Sequence, residues 1–213
     1  MKKLKYNCGQ GKEISMANRI KTGLLAGVLL GTFVSVTALA APPDQSVVCA
    51  GCHGEDGNSV QAMFPKLAGQ SREYLTKQLN NFIAGKRKNE IMAPIAADLK
   101  PADIKVLVEY FSAQKMSPGS VQDAKLAAEG KKIFQEGIEA SDVPVCAGCH
   151  QANAEGSGIY PRLAGQHADY LFLQLKNFST SERNNDVSRF MRVTTKHMTD
   201  QEMRAVAEYL SGL

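Results

Sequence analysis

The sequence lacks tryptophan, and its 213 residues include only four histidines, five cysteines and 7% aromatic residues. It has no low-complexity tract and no collagen-like period. With 44% hydrophobic and 22% charged residues, it is too balanced for a disordered chain, and one large domain or two small ones is expected. Alternating apolar and polar runs of strand length are missing, which argues against a β-rich fold. An excess of positive charge is missing too, despite a formal net charge of +4. Residues 1–40 hold six bases (Lys2, Lys3, Lys5, Lys12, Arg19 and Lys21) against one acid, Glu13. Without them the 25 basic residues fall to 19 and the 21 acidic ones to 20, a net of −1. No basic protein remains to bind nucleic acid.

A bilayer-spanning run is also lacking. The longest apolar stretch, Leu24–Ala40, has 17 residues, short of the ~20 that usually cross a membrane. It follows Arg19 and Lys21 and ends Ala38-Leu39-Ala40. A basic start, an apolar middle and an A-x-A end predict a cleaved secretory signal over residues 1–40, with an uncleaved anchor as the alternative. Residues 1–15 are unusual for such a leader because they are long and include Glu13 and Cys8. Met16 opens a more ordinary one, MANRIKTGLLAGVLL, and translation is expected to start there. The mature chain is expected to be exported.

What the chain does have is one unit written twice. VCAGCH occurs at Val48–His53 and again at Val145–His150. PKLAGQSREYLTKQLNNFIAGKRKN (Pro65–Asn89) matches PRLAGQHADYLFLQLKNFSTSERNN (Pro161–Asn185) at 13 of 25 positions. The stretches from Met92 and from Met191 align as well. The units are placed at residues 41–114 and 124–213, with 115–123 as linker on its Pro, Gly and Ser content. Apolar spacing predicts helices: Tyr74, Leu75, Leu79 and Phe82 share a face, as do Tyr170, Leu171, Leu175 and Phe178. Ile104, Leu107, Val108 and Phe111 repeat as Met203, Val206, Ala207 and Leu210. Thr199 with Glu202 reads as a capping box, and Pro101 suits a first helical position. The fold class is all-α. At this size each unit's core is marginal, so something besides protein should fill it.

Removing Cys8 with the leader leaves Cys49, Cys52, Cys146 and Cys149. Four cysteines in an exported chain suggest disulfides, but these form two Cys-x-x-Cys pairs, each followed at once by histidine. Two thiols at that spacing can add to the vinyl groups of haem while the adjacent imidazole reaches the iron, the pattern of c-type haem attachment. Zinc is the main rival, and 93 residues between the pairs suit a shared zinc poorly. A thioredoxin-like pair would need a βαβ context that is missing. Two covalent haem c groups are expected, on Cys49 and Cys52 and on Cys146 and Cys149, with His53 and His150 as iron ligands.

The far face of each iron needs a ligand, and Met/His ligation suits an electron carrier. Met92 and Met191 each stand 18 residues before a repeated tyrosine, Tyr110 or Tyr209, and are the candidates. Met198 aligns with Leu99 and reads as packing. The carbonyls of Pro65 and Pro161 are candidates to accept the second ring proton of each histidine, the alternative being that the prolines only turn the loop. Arg87 and Arg183 are repeat-equivalent and could pair with haem propionates, though solvated surface arginines are the plainer expectation. His167 and His197 have no repeated counterpart.

These residues carry a resemblance. The two CAGCH sites, the doubled P-[KR]-LAGQ-x3-YL-x2-QL block and the paired late methionines resemble the di-haem cytochrome c4 family over nearly the whole mature chain. The resemblance implies two tandem class I cytochrome c domains packed about a pseudo-two-fold axis. His53 and Met92 would ligate one iron, His150 and Met191 the other. It implies electron transfer in the periplasm, typically toward a terminal oxidase, with redox proteins such as a bc1-type complex as donors and peripheral membrane association compatible with that role. The alternative is a haem-bearing subunit of an exported oxidoreductase such as a sulfide or thiosulfate dehydrogenase. With no other catalytic constellation, an enzyme acting alone is not expected. One departure stands out: the second unit has an amphipathic helix before its haem motif, at Lys125–Gly137, whereas the first offers only APPDQSVV.

Overall fold

Helices supply the regular structure of residues 41–213, the part of the chain that the computed structural model describes. The expected leader, Cys8 and the start at Met16 lie outside those residues. The first repeat contributes α1 (Val47–His53), α2 (Arg72–Ile83), α3 (Met92–Ala97) and α4 (Pro101–Ala113). The second contributes α5 (Ala124–Glu136), α6 (Ala147–His150), α7 (Ala168–Ser179), α8 (Phe190–Lys196) and α9 (Asp200–Ser211). Two isolated bridges, Ile138 with Val143 and Ser157 with Tyr160, are the strand-like pairings among the described residues. The all-α expectation therefore holds there.

The helix starts follow from local chemistry. Pro101 occupies the first turn of α4, and the Asp103 carboxylate accepts the Lys100 N–H at 3.0 Å. The α9 box is reciprocal: Thr199 Oγ1 accepts from Glu202 N at 3.2 Å, and the Glu202 carboxylate accepts from Thr199 N at 2.7 Å. Asp123 caps α5 by accepting from Lys125 N and Leu126 N, both at 2.9 Å. Each bond satisfies a donor that the first helical turn leaves without a backbone acceptor.

The two cores differ. In the second unit α5 crosses α9 so closely that a Cβ on Gly130 would lie 1.8 Å from the Ala205 carbonyl oxygen. Phe134 fills that crossing, packed with Leu171, Met203, Val206 and Leu210. In the first unit α2 packs on α3 and α4, around Leu75, Ile104, Leu107, Val108 and Phe111. Among the described residues no helix matches α5 there, and in its place the short 3-10 turn Asp44–Ser46 meets α4. The buried apolar cluster has six residues in the first unit against ten in the second, so the first leans more heavily on whatever fills its cavity.

The repeats are joined by contacts that recur with the partners exchanged, as in an isologous dimer interface. Gln70 Nε2 donates to the Arg162 carbonyl at 2.9 Å, and Arg162 N donates to Gln70 Oε1 at 2.8 Å. Gln166 makes the same pair with Lys66, both bonds at 2.9 Å. The intervening segment is tied down as well. Asn58 bonds the Lys115 carbonyl and Ser117 N at 3.0 and 2.7 Å, while the Glu208 carboxylate accepts from Gln122 N and Asp123 N.

Candidate functional site

In α1 the three-residue spacing sets Cys49 and Cys52 one turn apart on one side of the helix, with His53 closing it. The single-turn α6 ends in the same way with Cys149 and His150, and Cys146 is its cap. The chain then reverses in a backbone conformation suited to glycine. Gly54 has φ 81° and ψ 154°, and its repeat partner Gln151 has φ 69° and ψ 158°. The reversal carries the chain back past the histidine to the proline that faces it.

Both histidines are buried, at 6% and 7% exposure. His53 Nδ1 lies 2.8 Å from the Pro65 carbonyl oxygen, and His150 Nδ1 lies 3.1 Å from that of Pro161. The Phe64 ring meets the His53 ring edge-on at 6.3 Å, and Tyr160 meets His150 at the same separation. Carbonyl and aromatic edge together set the ring plane, and with Nδ1 as the donor the unprotonated Nε2 is left for a metal. Both proline carbonyls therefore serve the histidines as well as turning the loop.

All eight residues singled out in the sequence line one cavity of about 560 Å³ that runs between the two repeats. Cys49, Cys52 and Cys146 are half-buried there and Cys149 is exposed, all as free thiols. Met92, opening α3, and Met191, in the first turn of α8, are both half-buried. Met198 is 9% exposed and belongs to the second unit's apolar cluster.

The electrostatics of this space are cationic. Arg87 and Arg183 sit in a crossed network and not on a solvated surface, which corrects the plainer expectation for them. Arg183 donates to Tyr74 Oη at 2.9 Å and to Gln174 Oε1 at 2.8 Å, across and within the repeat boundary respectively. Arg87 donates to Tyr170 Oη and Gln78 Oε1, both at 3.0 Å, with the roles exchanged. The guanidiniums also lie over Phe82 and Phe178, at 4.8 and 4.5 Å from the ring centres. Burial, with the charge of Arg87 next, draws the Arg183 guanidinium below its ordinary value. Burial pushes the Tyr74 hydroxyl up, but the charges of Arg183 and Arg87 outweigh it and hold it below the usual phenol range. Among the described residues the ion pairs are Lys176–Asp200 and Arg192–Asp186, so neither the buried Arg183 nor the half-buried Arg87 is paired with a carboxylate. The position of these arginines was illegible in sequence because their partners lie 83 and 109 residues away.

This donor set fits a covalently held haem. Burial pushes the Cys146 thiol up to about 11 and raises that of Cys49, which disfavours the thiolates that a zinc site would use. Among the described residues no three His, Cys, Asp or Glu side chains converge as a metal cage. The guanidiniums lining the cavity without a carboxylate, and the buried Arg162 Nε that has no partner, match the propionates that a haem carries.

The comparisons with known proteins agree. The family model described as Cytochrome c matches twice, over residues 46–115 and 127–213. Cytochrome c4 of Thiocapsa roseopersicina is 41% identical over 169 residues, 78% of this chain and 87% of that one. The thiosulfate dehydrogenase electron acceptor of Thiomonas intermedia is 34% identical over 195 residues, 89% of this chain and 90% of its own. The crystal structure of reduced cytochrome c4 from Pseudomonas stutzeri superimposes with a TM-score of 0.77 at 37% identity, covering 83% of this chain and all of that one.

Proposed function

The chain belongs to the cytochrome c family as a di-haem cytochrome c4, an electron-transfer protein and not an enzyme, and from that premise we propose that it is a periplasmic shuttle between respiratory complexes. Its two haem c groups are covalently bound, and the Cys-x-x-Cys-His motifs at Cys49, Cys52 and His53 and at Cys146, Cys149 and His150 fit them. Haem c supplies a one-electron iron couple; the chain's own work is to fix the ligands, exclude water and set the potential. In this reading His53 with Met92 and His150 with Met191 are the axial pairs. Residues 41–114 and 124–213 are the two domains, 115–123 is the linker, and a signal over residues 1–40 exports the chain and is then removed.

The observation that carries the proposal is the placement of both motifs on one shared cavity, walled by the crossed Tyr74, Gln78, Arg87, Tyr170, Gln174 and Arg183 contacts. Two redox centres brought together across a bonded interface suit a protein that takes an electron at one end and releases it at the other. A bc1-type complex as donor and a terminal oxidase as acceptor fit this role. A second reading, electron acceptor of a thiosulfate dehydrogenase, is favoured by the relative of that name.

Native size-exclusion of periplasmic and membrane extracts, followed by haem absorbance and intact mass, separates the two. A lone peak at the mass of residues 41–213 plus two haems supports the shuttle and the cleavage. Haem that travels with a larger protein and is reduced on adding thiosulfate supports the second reading and overturns the first.

A further inference from the structure

The glutamines of the two LAGQ segments reach across the interface to one particular peptide group. Gln166 Oε1 accepts the Lys66 N–H at 2.9 Å. That N–H and the Pro65 carbonyl belong to the same peptide unit, and the carbonyl is the acceptor for His53 Nδ1 at 2.8 Å. The mirror chain is complete: Gln70 Oε1 accepts from Arg162 N at 2.8 Å, and the Pro161 carbonyl faces His150 Nδ1 at 3.1 Å. Each carboxamide also donates to the next carbonyl, of Lys66 or Arg162, at 2.9 Å, so it grips the loop at two points. Both glutamines are buried, at 5% and 4% exposure. Each Oε1 is steadied by the N–H of the following residue, Ser71 or His167, at 3.0 and 3.1 Å.

A peptide whose N–H is engaged is a better acceptor at its carbonyl, because the two bonds polarise the same amide in series. A stronger acceptor at Nδ1 pulls the imidazole toward imidazolate, which makes Nε2 a stronger donor to a metal and favours the oxidised iron. We propose that Gln166 and Gln70 are crossed positioning residues: each sets the basicity of the iron-binding histidine, and so the haem potential, of the opposite domain. This rests on the reading of His53 and His150 as iron ligands. It gives the glutamine present in both copies of the repeat a role that its own domain does not reveal, and makes each potential depend on contact between the domains.

The test uses the full two-haem protein, with Gln166→Met and Gln70→Met chosen to keep side-chain bulk while removing both hydrogen bonds. Potentials are measured by spectroelectrochemistry, each wave being assigned to its haem by NMR of the haem methyls, and the histidine Nδ1–H resonances are followed alongside. Gln166→Met is expected to raise the potential of the haem on Cys49 and Cys52, to move the His53 Nδ1–H resonance upfield, and to leave the other haem in place. Gln70→Met should do the reverse, and it decides the matter if the first variant does not accumulate. A shift confined to the substituted domain, an equal shift at both haems, or no shift in a folded variant overturns the proposal. Failure of the ligand reading registers separately, because a His53→Ala chain would then keep its low-spin iron spectrum whatever the glutamine variants do.

Discussion

Exchanging the residues that follow the two haem-motif histidines should change stability with opposite signs. Gln151 adopts φ 69° and ψ 158°, a region that only glycine enters without strain, and its partner Gly54 adopts φ 81° and ψ 154°. Such a residue stores about 1–3 kcal/mol. Gln151→Gly releases this and loses about 0.5–1 kcal/mol to the greater freedom of glycine in the unfolded chain. The balance spans about 0–2.5 kcal/mol with a middle value of about 1 kcal/mol, and at about 2–4 °C per kcal/mol for a chain of this size the melting point should rise by about 2–5 °C. Gly54→Ala brings the strain without the relief, and adds a Cβ 2.9 Å from the Asn58 carbonyl oxygen, so it should melt lower by at least as much. Differential scanning calorimetry of the oxidised holo protein reads both, with the visible spectrum confirming that the haems are undisturbed. A Gln151→Gly protein that melts at or below the wild-type temperature would refute the strain argument.

Other expectations concern the ligands and the interface. Met92→Ala and Met191→Ala should each open one iron to carbon monoxide and lower its potential; unchanged spectra in both would remove the axial assignment. Met198→Ala, within the apolar cluster, should cost about 2–5 kcal/mol of stability while both haem spectra stay the same, and a lost axial ligand there would favour it over Met191. His167 Nε2 sits 2.9 Å from Ser59 Oγ across the repeat boundary, and burial, with the charge of Lys66 next, holds its value below the ordinary 6.5. The unfolded chain therefore takes up this proton first as the pH falls below that point, and stability is lost until the pH passes the folded value. Thermal melts from about pH 7.5 to about pH 5 should fall more steeply for wild type than for His167→Gln, and equal slopes would show that His167 carries none of the effect.

Much of the architecture was legible because the sequence repeats itself. Two copies of one apolar pattern placed α2, α4, α7 and α9, and the capping pair Thr199 and Glu202 marked where α9 begins. The motif chemistry pointed to Cys49, Cys52, His53, Cys146, Cys149 and His150, and the structure brings all six to one cavity. What stayed hidden is relational. Gln70 and Gln166 look like polar loop residues until each is seen to bond a peptide 92 or 100 positions away. Arg87 and Arg183 look like surface cations for the same reason. The available signal was a buried-type pattern, Leu-Ala-Gly, followed by an identical glutamine in both copies: a side chain with no local work to do and a fixed identity is a candidate for a contact beyond its own unit. The strain at Gln151 was likewise silent, since only its pairing with Gly54 shows that the position asks for glycine.

A stepwise reductive titration of the purified chain, followed by visible spectroscopy under carbon monoxide, reaches the central claim most directly. Uptake of two electrons per chain, low-spin iron throughout and no carbon monoxide binding are expected of a carrier with two six-coordinate haems. Uptake of one electron, or carbon monoxide bound by the untreated reduced protein, would contradict it.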